Sequence, residues 1–315
     1  MIEQLKTWVY LGEGLANYGF GDGHPFSPQR HHAFERAFRE QDLTHRCTIG
    51  KPVMAEDSHI ERFHTHDYVE LVRKLSKTGI GYLDYGDTPA FKGVYEAAST
   101  VVGTVLDALS QIIKGHGTRA FVPIAGLHHA RRERAGGFCV FNDCGVAIET
   151  LLSVYGMQRI AYVDIDAHHG DGVYYSFEDN PSVICADLHQ DGRTLYPGTG
   201  DATETGIGAA KGTKLNIPMR PGADDGDFLT AWERVEDFVD KSKPEFILLQ
   251  CGVDSMASDP ITAMRYSAAS HAHAARRLSA IADTHCDGRL LAMGGGGYNL
   301  NNIANGWTAV VRELI

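Results

Sequence analysis

Within the stretch "IAYVDIDAHHGDGV", residues 160–173, three aspartates and two histidines fall between Asp164 and Asp171. Asp164, Asp166 and His168 are spaced i, i+2, i+4, so an extended backbone turns all three side chains to one side. Asp166 and His168 can then grip one metal ion. A third ligand from elsewhere would leave an open position for water, the arrangement of a catalytic zinc site. Asp254, in "QCGVDS", is the candidate for that ligand. Two carboxylates and one imidazole form a harder donor set than a histidine-rich one, so Fe(II), Co(II) or Mn(II) compete with Zn(II). Taken alone, an Asp is more often a helix cap and a His more often a core residue bonded to a carbonyl. The density of this cluster decides otherwise, because carboxylates crowded beside buried strands repel one another unless a cation compensates them.

A second cluster, His128 and His129, lies in "AGLHHARRERAGGFCVFND". Imidazole is the side chain suited to taking a proton from water and returning it to a leaving group near neutral pH. Each ring works better with its far nitrogen held by a carboxylate, and Asp164 and Asp171 are available for that. The run Gly294–Gly297 lets backbone approach such a site closely and displays Tyr298, whose hydroxyl can donate to an oxyanion. On its own a glycine run suits a tight turn or a phosphate cradle equally well. No GK[ST] follows it, no GxGxxG opens a helix after the first strand, and no GxSxG occurs, which disfavours nucleotide binding and a serine hydrolase.

Positioning these groups requires strands that end next to one another. Short apolar runs recur between turn residues, "RAFVPIAG", "RIAYVDI", "SVICADL", "KLNIPM", "EFILLQCG" and "RLLAMGGGG". Helical patterns alternate with them, among them "FKGVYEAASTVVGTVLDALSQII", "DCGVAIETLLSVYG", "DGDFLTAWERVEDFVDK" and "SHAHAARRLSAIADTH", with Asp143 and Asp225 near helix starts. The alternation predicts an α/β fold with a parallel sheet covered on both faces. In such sheets ligands bind beyond the carboxyl ends of the strands. There lie "GLHHA", "DAHHGDG", "GVDS" and "GGGGYN", each directly after an apolar run.

With 315 residues, 43% hydrophobic and 22% charged, the chain is large enough for a full core. It has no repeat or linker, so one domain over 1–315 is expected. A net charge of −11, with Arg131, Arg132 and Arg134 as the only dense basic run, disfavours nucleic acid as a direct partner. Six scattered cysteines without CxxC pairs suggest neither disulfides nor a thiolate zinc site. The opening "MIEQLKTWVY" lacks a leader pattern and no long apolar run occurs, so no membrane association and a cytoplasmic location are expected.

Together and in order, "HPFSPQR", "FHTHDYVE", "GDTPAF", "HHA" with "GGFCVFND", "YVDIDAHHGDGV", "LYPGTGD", "QCGVDSMASDP" and "GGGGYNLNNIANGW" resemble the zinc-dependent histone deacetylase family. That family includes the bacterial acetoin-utilisation and acetylpolyamine deacetylases. The resemblance implies the arginase–deacetylase fold, a three-layer α/β/α sandwich around a mostly parallel sheet of about eight strands. It puts zinc on Asp166, His168 and Asp254, and pairs His128 with Asp164 and His129 with Asp171. His129 is then the principal general base and later the acid, and Tyr298 the transition-state tyrosine. Gly137, Phe138 and Tyr196 would bind substrate in a narrow channel, with Asp87 on its rim, Ile261 at its mouth and Arg30 near an acetate-release cavity. The family also binds potassium, which would fall on Asp164, Asp166, His168, Asp187 and Leu188. Asp187 departs from the serine of many relatives, and Tyr196 from a frequent phenylalanine.

The reaction implied is hydrolysis of an N-acetyl amide to acetate and a free amine. Zinc and His129 activate water, while zinc and Tyr298 stabilise the oxyanion. Acetyl-lysine in a peptide or protein is the expected substrate, an acetylated polyamine or other small acetylated amine the alternative. A manganese ureohydrolase of the same fold would need a further Asp-rich motif where "CGVDSMASD" stands, and a non-catalytic binding module would have lost a ligand, base or tyrosine. The sequence leaves a homo-oligomer open.

Overall fold

The computed structural model describes residues 7–21 and 23–315. Residues 1–6, on which part of the leader reading rests, lie outside the described residues. Among the described residues eight strands form one sheet: β1 (Thr7–Tyr10), β2 (Thr48–Gly50), β3 (Arg119–Val122), β4 (Ile160–Asp164), β5 (Val183–Gln190), β6 (Lys214–Met219), β7 (Phe246–Gln250) and β8 (Leu290–Met293). Their order is β2-β1-β3-β8-β7-β4-β5-β6, and every pairing is parallel. Every residue of β4 and β7 is buried, which is why both read as unbroken apolar runs with no alternation.

The four strands whose ends carry the chemical motifs, β3, β8, β7 and β4, are consecutive neighbours at the centre of the sheet. Three expected helices appear as Val94–Ile113, Asp225–Ser242 and Ala268–His285, and a fourth as Asp143–Ser153. Asp143 and Asp225 are first helical residues, not caps: Asn142 and Asp224 accept the free backbone amides. That leaves the Asp143 carboxylate to accept the amides of Gly126 (2.8 Å) and Leu127 (3.0 Å), bracing the turn that leads into His128. Sequence periodicity did not single out β1, β2 or the helices Gln29–Glu40 and His66–Thr78. All six cysteines are buried and unpaired. No helix of the described residues is long and apolar enough to cross a membrane.

Candidate active site

β4 delivers Asp164 as its last residue, and the chain then runs on through Asp166 and His168 beneath the ends of β7 and β8. Ligand atoms of Asp166, His168 and Asp254 lie within 4.8 Å of one another, and all three residues are buried. His168 Nδ1 is 3.1 Å from Asp166 Oδ1 and 3.0 Å from Asp254 Oδ2. Burial and the facing Asp166 carboxylate push Asp254 up to about 7. A divalent cation would relieve that repulsion, and two carboxylates with one imidazole are an apt donor set for one, so the residues fit a metal site. Glycines make the crowding feasible. A Cβ on Gly252 would stand 2.0 Å from Asp166 Oδ2, and one on Gly296 would stand 2.2 Å from Asp254 Oδ2.

The tandem histidines follow β3. His128 Nδ1 lies 2.7 Å from Asp164 Oδ2, and His129 Nδ1 lies 2.7 Å from Asp171 Oδ1. Their Nε2 atoms face each other at 3.1 Å, so only one of the two nitrogens can carry a proton towards the other. Burial lowers His128, but the carboxylates of Asp164 and Asp166 outweigh it and push the ring up to about 10. Burial and the neighbouring His128 charge bring His129 down to about 4. His129 therefore donates from Nδ1 to Asp171 and presents a bare Nε2 lone pair, the state required of a base. The second oxygen of Asp171 accepts from Arg131 Nη2 at 2.8 Å, and the Arg131 guanidinium lies over Tyr175.

Tyr298 follows β8 and the glycine run. Burial and the Asp254 charge hold its hydroxyl well above the usual phenol range, so it stays a donor. Buried Arg30 lies behind this loop, donating from Nε to Gly297 O at 2.7 Å and from Nη2 to Gly295 O. Its Nη1 has no partner among the described residues.

Of the expected substrate-binding residues, Tyr196 stands edge-on to His129 with ring centroids 5.0 Å apart, and Phe138 stands edge-on to Tyr298 at 5.8 Å. Gly137 packs between His129 and Tyr196, with no room for a Cβ. Beside them a cavity of about 360 Å³ is lined by Asp84, Tyr85, Asp87, Arg134, Gly136 and Tyr196, and reaches His129 and Asp171. Partial burial and the adjoining Asp84 push Asp87 up to about 6. Ile261 is exposed and does not line that cavity.

Among the expected potassium residues, Asp187 has both oxygens engaged, Oδ1 with His189 Nδ1 at 2.6 Å and Oδ2 with the Gly170 amide at 2.9 Å. His189 Nε2 donates to Gly200 O at 2.9 Å, so Asp187 serves as the charged partner of a buried imidazole, where a serine would bring a hydroxyl without the charge. Leu188 follows it, buried within β5.

Sequence reasoning missed Gln250, which closes β7. Its Nε2 donates to Asp166 Oδ2 at 2.8 Å, and its Oε1 accepts the Gly252 amide at 2.7 Å. Arg131 had registered only as part of a basic run. Two further acids near the site, Asp84 and Asp259, bond to backbone amides. Asp84 Oδ1 accepts the amides of Gly86, Asp87 and Thr88, and Asp259 is 8% exposed with both oxygens taken by backbone amides.

Similarity to known proteins extends over nearly the whole chain. Residues 24–314 match the histone deacetylase domain. The chain is 35% identical over 306 residues to the acetoin utilization protein AcuC of Bacillus subtilis, covering 94% of this chain and 79% of that one. It is 31% identical over 316 residues to histone deacetylase clr6 of Schizosaccharomyces pombe, covering 96% and 75%. The crystal structure of the HDA15 HD domain superposes with a TM-score of 0.91 at 28% identity, covering 99% of this chain and 88% of that one. With its family domain matched over nearly its whole length, this chain belongs to the histone deacetylase family and is a deacetylase hydrolase.

Proposed function

We propose that the chain is a zinc-dependent amidohydrolase that removes acetyl groups from acetyl-lysine in peptides or proteins. The observation that carries the reading is the pair of imidazoles, each tethered to its own aspartate at 2.7 Å, set beside a buried Asp₂His donor set. Asp166, His168 and Asp254 would hold the ion. When bound, it supplies a Lewis acid that polarises the amide carbonyl and makes water a stronger acid. His129 Nε2 takes the proton of the attacking water, and the Asp171 carboxylate stabilises the imidazolium that results. Tyr298 donates its hydroxyl hydrogen to the oxygen on which charge develops. His129 then gives its proton to the departing amine, and acetate and amine are released. His128, bonded to Asp164 at 2.7 Å, stands 3.1 Å from His129 Nε2 and holds the second imidazole beside the reacting atoms. Arg30 Nη1 offers an unused donor to an acetate leaving beneath Tyr298.

Acetyl-lysine is favoured over a polyamine by the fate of the acidic side chains. Asp259 has both oxygens taken by backbone amides, and apolar Ile261 offers an internal ammonium no partner. The test is a substrate panel on metal-quantified enzyme. kcat/KM for an acetyl-lysine peptide should exceed that for N-acetylputrescine, and Ile261→Glu should narrow the gap. A preference of about tenfold or more for the polyamine, equivalent to about 1.4 kcal/mol, refutes this choice of substrate.

A further inference from the structure

The loop that begins at Asp254 folds back to grip the residue that carries the tyrosine. Asp259 Oδ2 accepts the backbone amide of Tyr298 at 2.8 Å, and Oδ1 accepts that of Ile261 at 3.1 Å. Both loops are tied again on either side of this bond. Asn299 Nδ2 donates to Ser258 O at 3.0 Å and Asn302 Nδ2 to Ala257 O at 3.1 Å, while the Val253 amide donates to Gly296 O at 2.9 Å. Ser258 takes a left-handed backbone, φ 70°, in the turn that leads to Asp259.

The need for such a grip follows from the glycines. Gly295 and Gly297, at φ 70° and 127°, place four glycines' worth of permissive backbone ahead of Tyr298, and permissive backbone fixes no direction for the side chain that follows. A charge-assisted N–H···O bond at the Tyr298 amide restrains that position at its root, and two amide donors offset the cost of burying the carboxylate. Asp259 also lies five residues after Asp254, on the same loop, so the tyrosine is referenced directly to the candidate metal ligand.

We propose that Asp259 is a positioning residue for Tyr298: it sets the tyrosine hydroxyl against the reacting carbonyl without touching substrate. The inference rests on the role given to Tyr298 above. It predicts coupling, so Asp259→Asn and Asp259→Ala are made in the parent and in the Tyr298→Phe background, and kcat, KM and metal content are measured. Asn preserves size and one acceptor, which guards against misfolding; Ala removes both acceptors. In the parent background kcat should fall about 10–100-fold, the scale of an ångström-sized misplacement, more for Ala than for Asn, with KM and metal content little changed. In the Tyr298→Phe background the same changes should cost almost nothing further, because the hydroxyl they position is already gone. Equal losses in both backgrounds, or a fall in metal content that accounts for the loss, overturn the proposal. So does a parent-background Asp259→Ala enzyme with unaltered kcat. A Tyr298→Phe enzyme with full turnover removes the tyrosine's role and this inference together, whereas a crippled one beside additive Asp259 losses removes this inference alone.

Discussion

Removing the Tyr298 hydroxyl isolates one step of the chemistry, because the structure gives that oxygen nothing else to do. Among the described residues, the one hydrogen bond of Tyr298 to a side chain is through its backbone amide, and its hydroxyl has no partner. Phenylalanine keeps the ring that packs edge-on against Phe138 and Phe26. Tyr298→Phe should therefore stay within about 0.5 kcal/mol of the parent in stability, a Tm change of about 2 °C or less. Its effect on rate should be much larger. Loss of one donor to a developing oxyanion costs about 2.7–4 kcal/mol, or about 10²–10³ in kcat. Because the hydroxyl is held above the usual phenol range, the change removes a neutral donor and not a charge, so the shape of the pH–rate profile near neutrality should survive. The assay is steady-state hydrolysis of an acetyl-lysine peptide with metal content measured on the same samples. A kcat within about threefold of the parent, or a loss confined to KM, would refute transition-state donation, since uniform binding moves KM alone.

Asp254→Asn should lower bound zinc and cut turnover by more than about 100-fold, since even changes outside the ligand sphere cost about 10–100-fold; full occupancy with near-normal turnover excludes Asp254 as a ligand. His129→Ala should be more damaging than His128→Ala, in the range of about 10²–10⁴ for a lost acid–base group, and equal mild losses would dismiss the assignment of the two rings. Asp87, raised to about 6, is a carboxylate above that pH and neutral below it, so KM for a substrate that donates to it should rise as pH falls from 7 to 5. Asp87→Asn should flatten that rise, and an unchanged slope would locate the titration elsewhere.

Much of the site was legible because its chemistry is local. Asp164, Asp166 and His168 declare themselves through spacing, and the buried strands β4 and β7 through unbroken apolar runs. Asp259 was not legible in its role. Its bond to Ile261 is a turn within the sequence "DPI", but its bond to Tyr298 spans 39 positions and has no periodic trace. Gln250 likewise reads as the polar end of a strand until β4 and β7 are paired, when it reaches Asp166. Strand β2 has three residues, Thr48–Gly50, too few for an apolar run to register. The helix Gln29–Glu40 did carry a pattern, with Arg30, Ala33, Phe34, Ala37 and Phe38 buried on one side, but its arginine sits on the apolar stripe and obscures it.

The strand order has a consequence for how the chain is made. β8 is the last strand in sequence yet lies between β3 and β7, paired on both sides. During synthesis, everything up to Arg289 can emerge while the sheet remains two separate halves, β2-β1-β3 and β7-β4-β5-β6, each with an unpaired inner edge. Exposed edges of that kind invite pairing with other chains, a hazard removed when Leu290–Met293 pairs with both halves. The same insertion brings Gly296 and Tyr298 over the carboxylates. Until β8 is in place, the candidate site therefore lacks Gly296 and Tyr298.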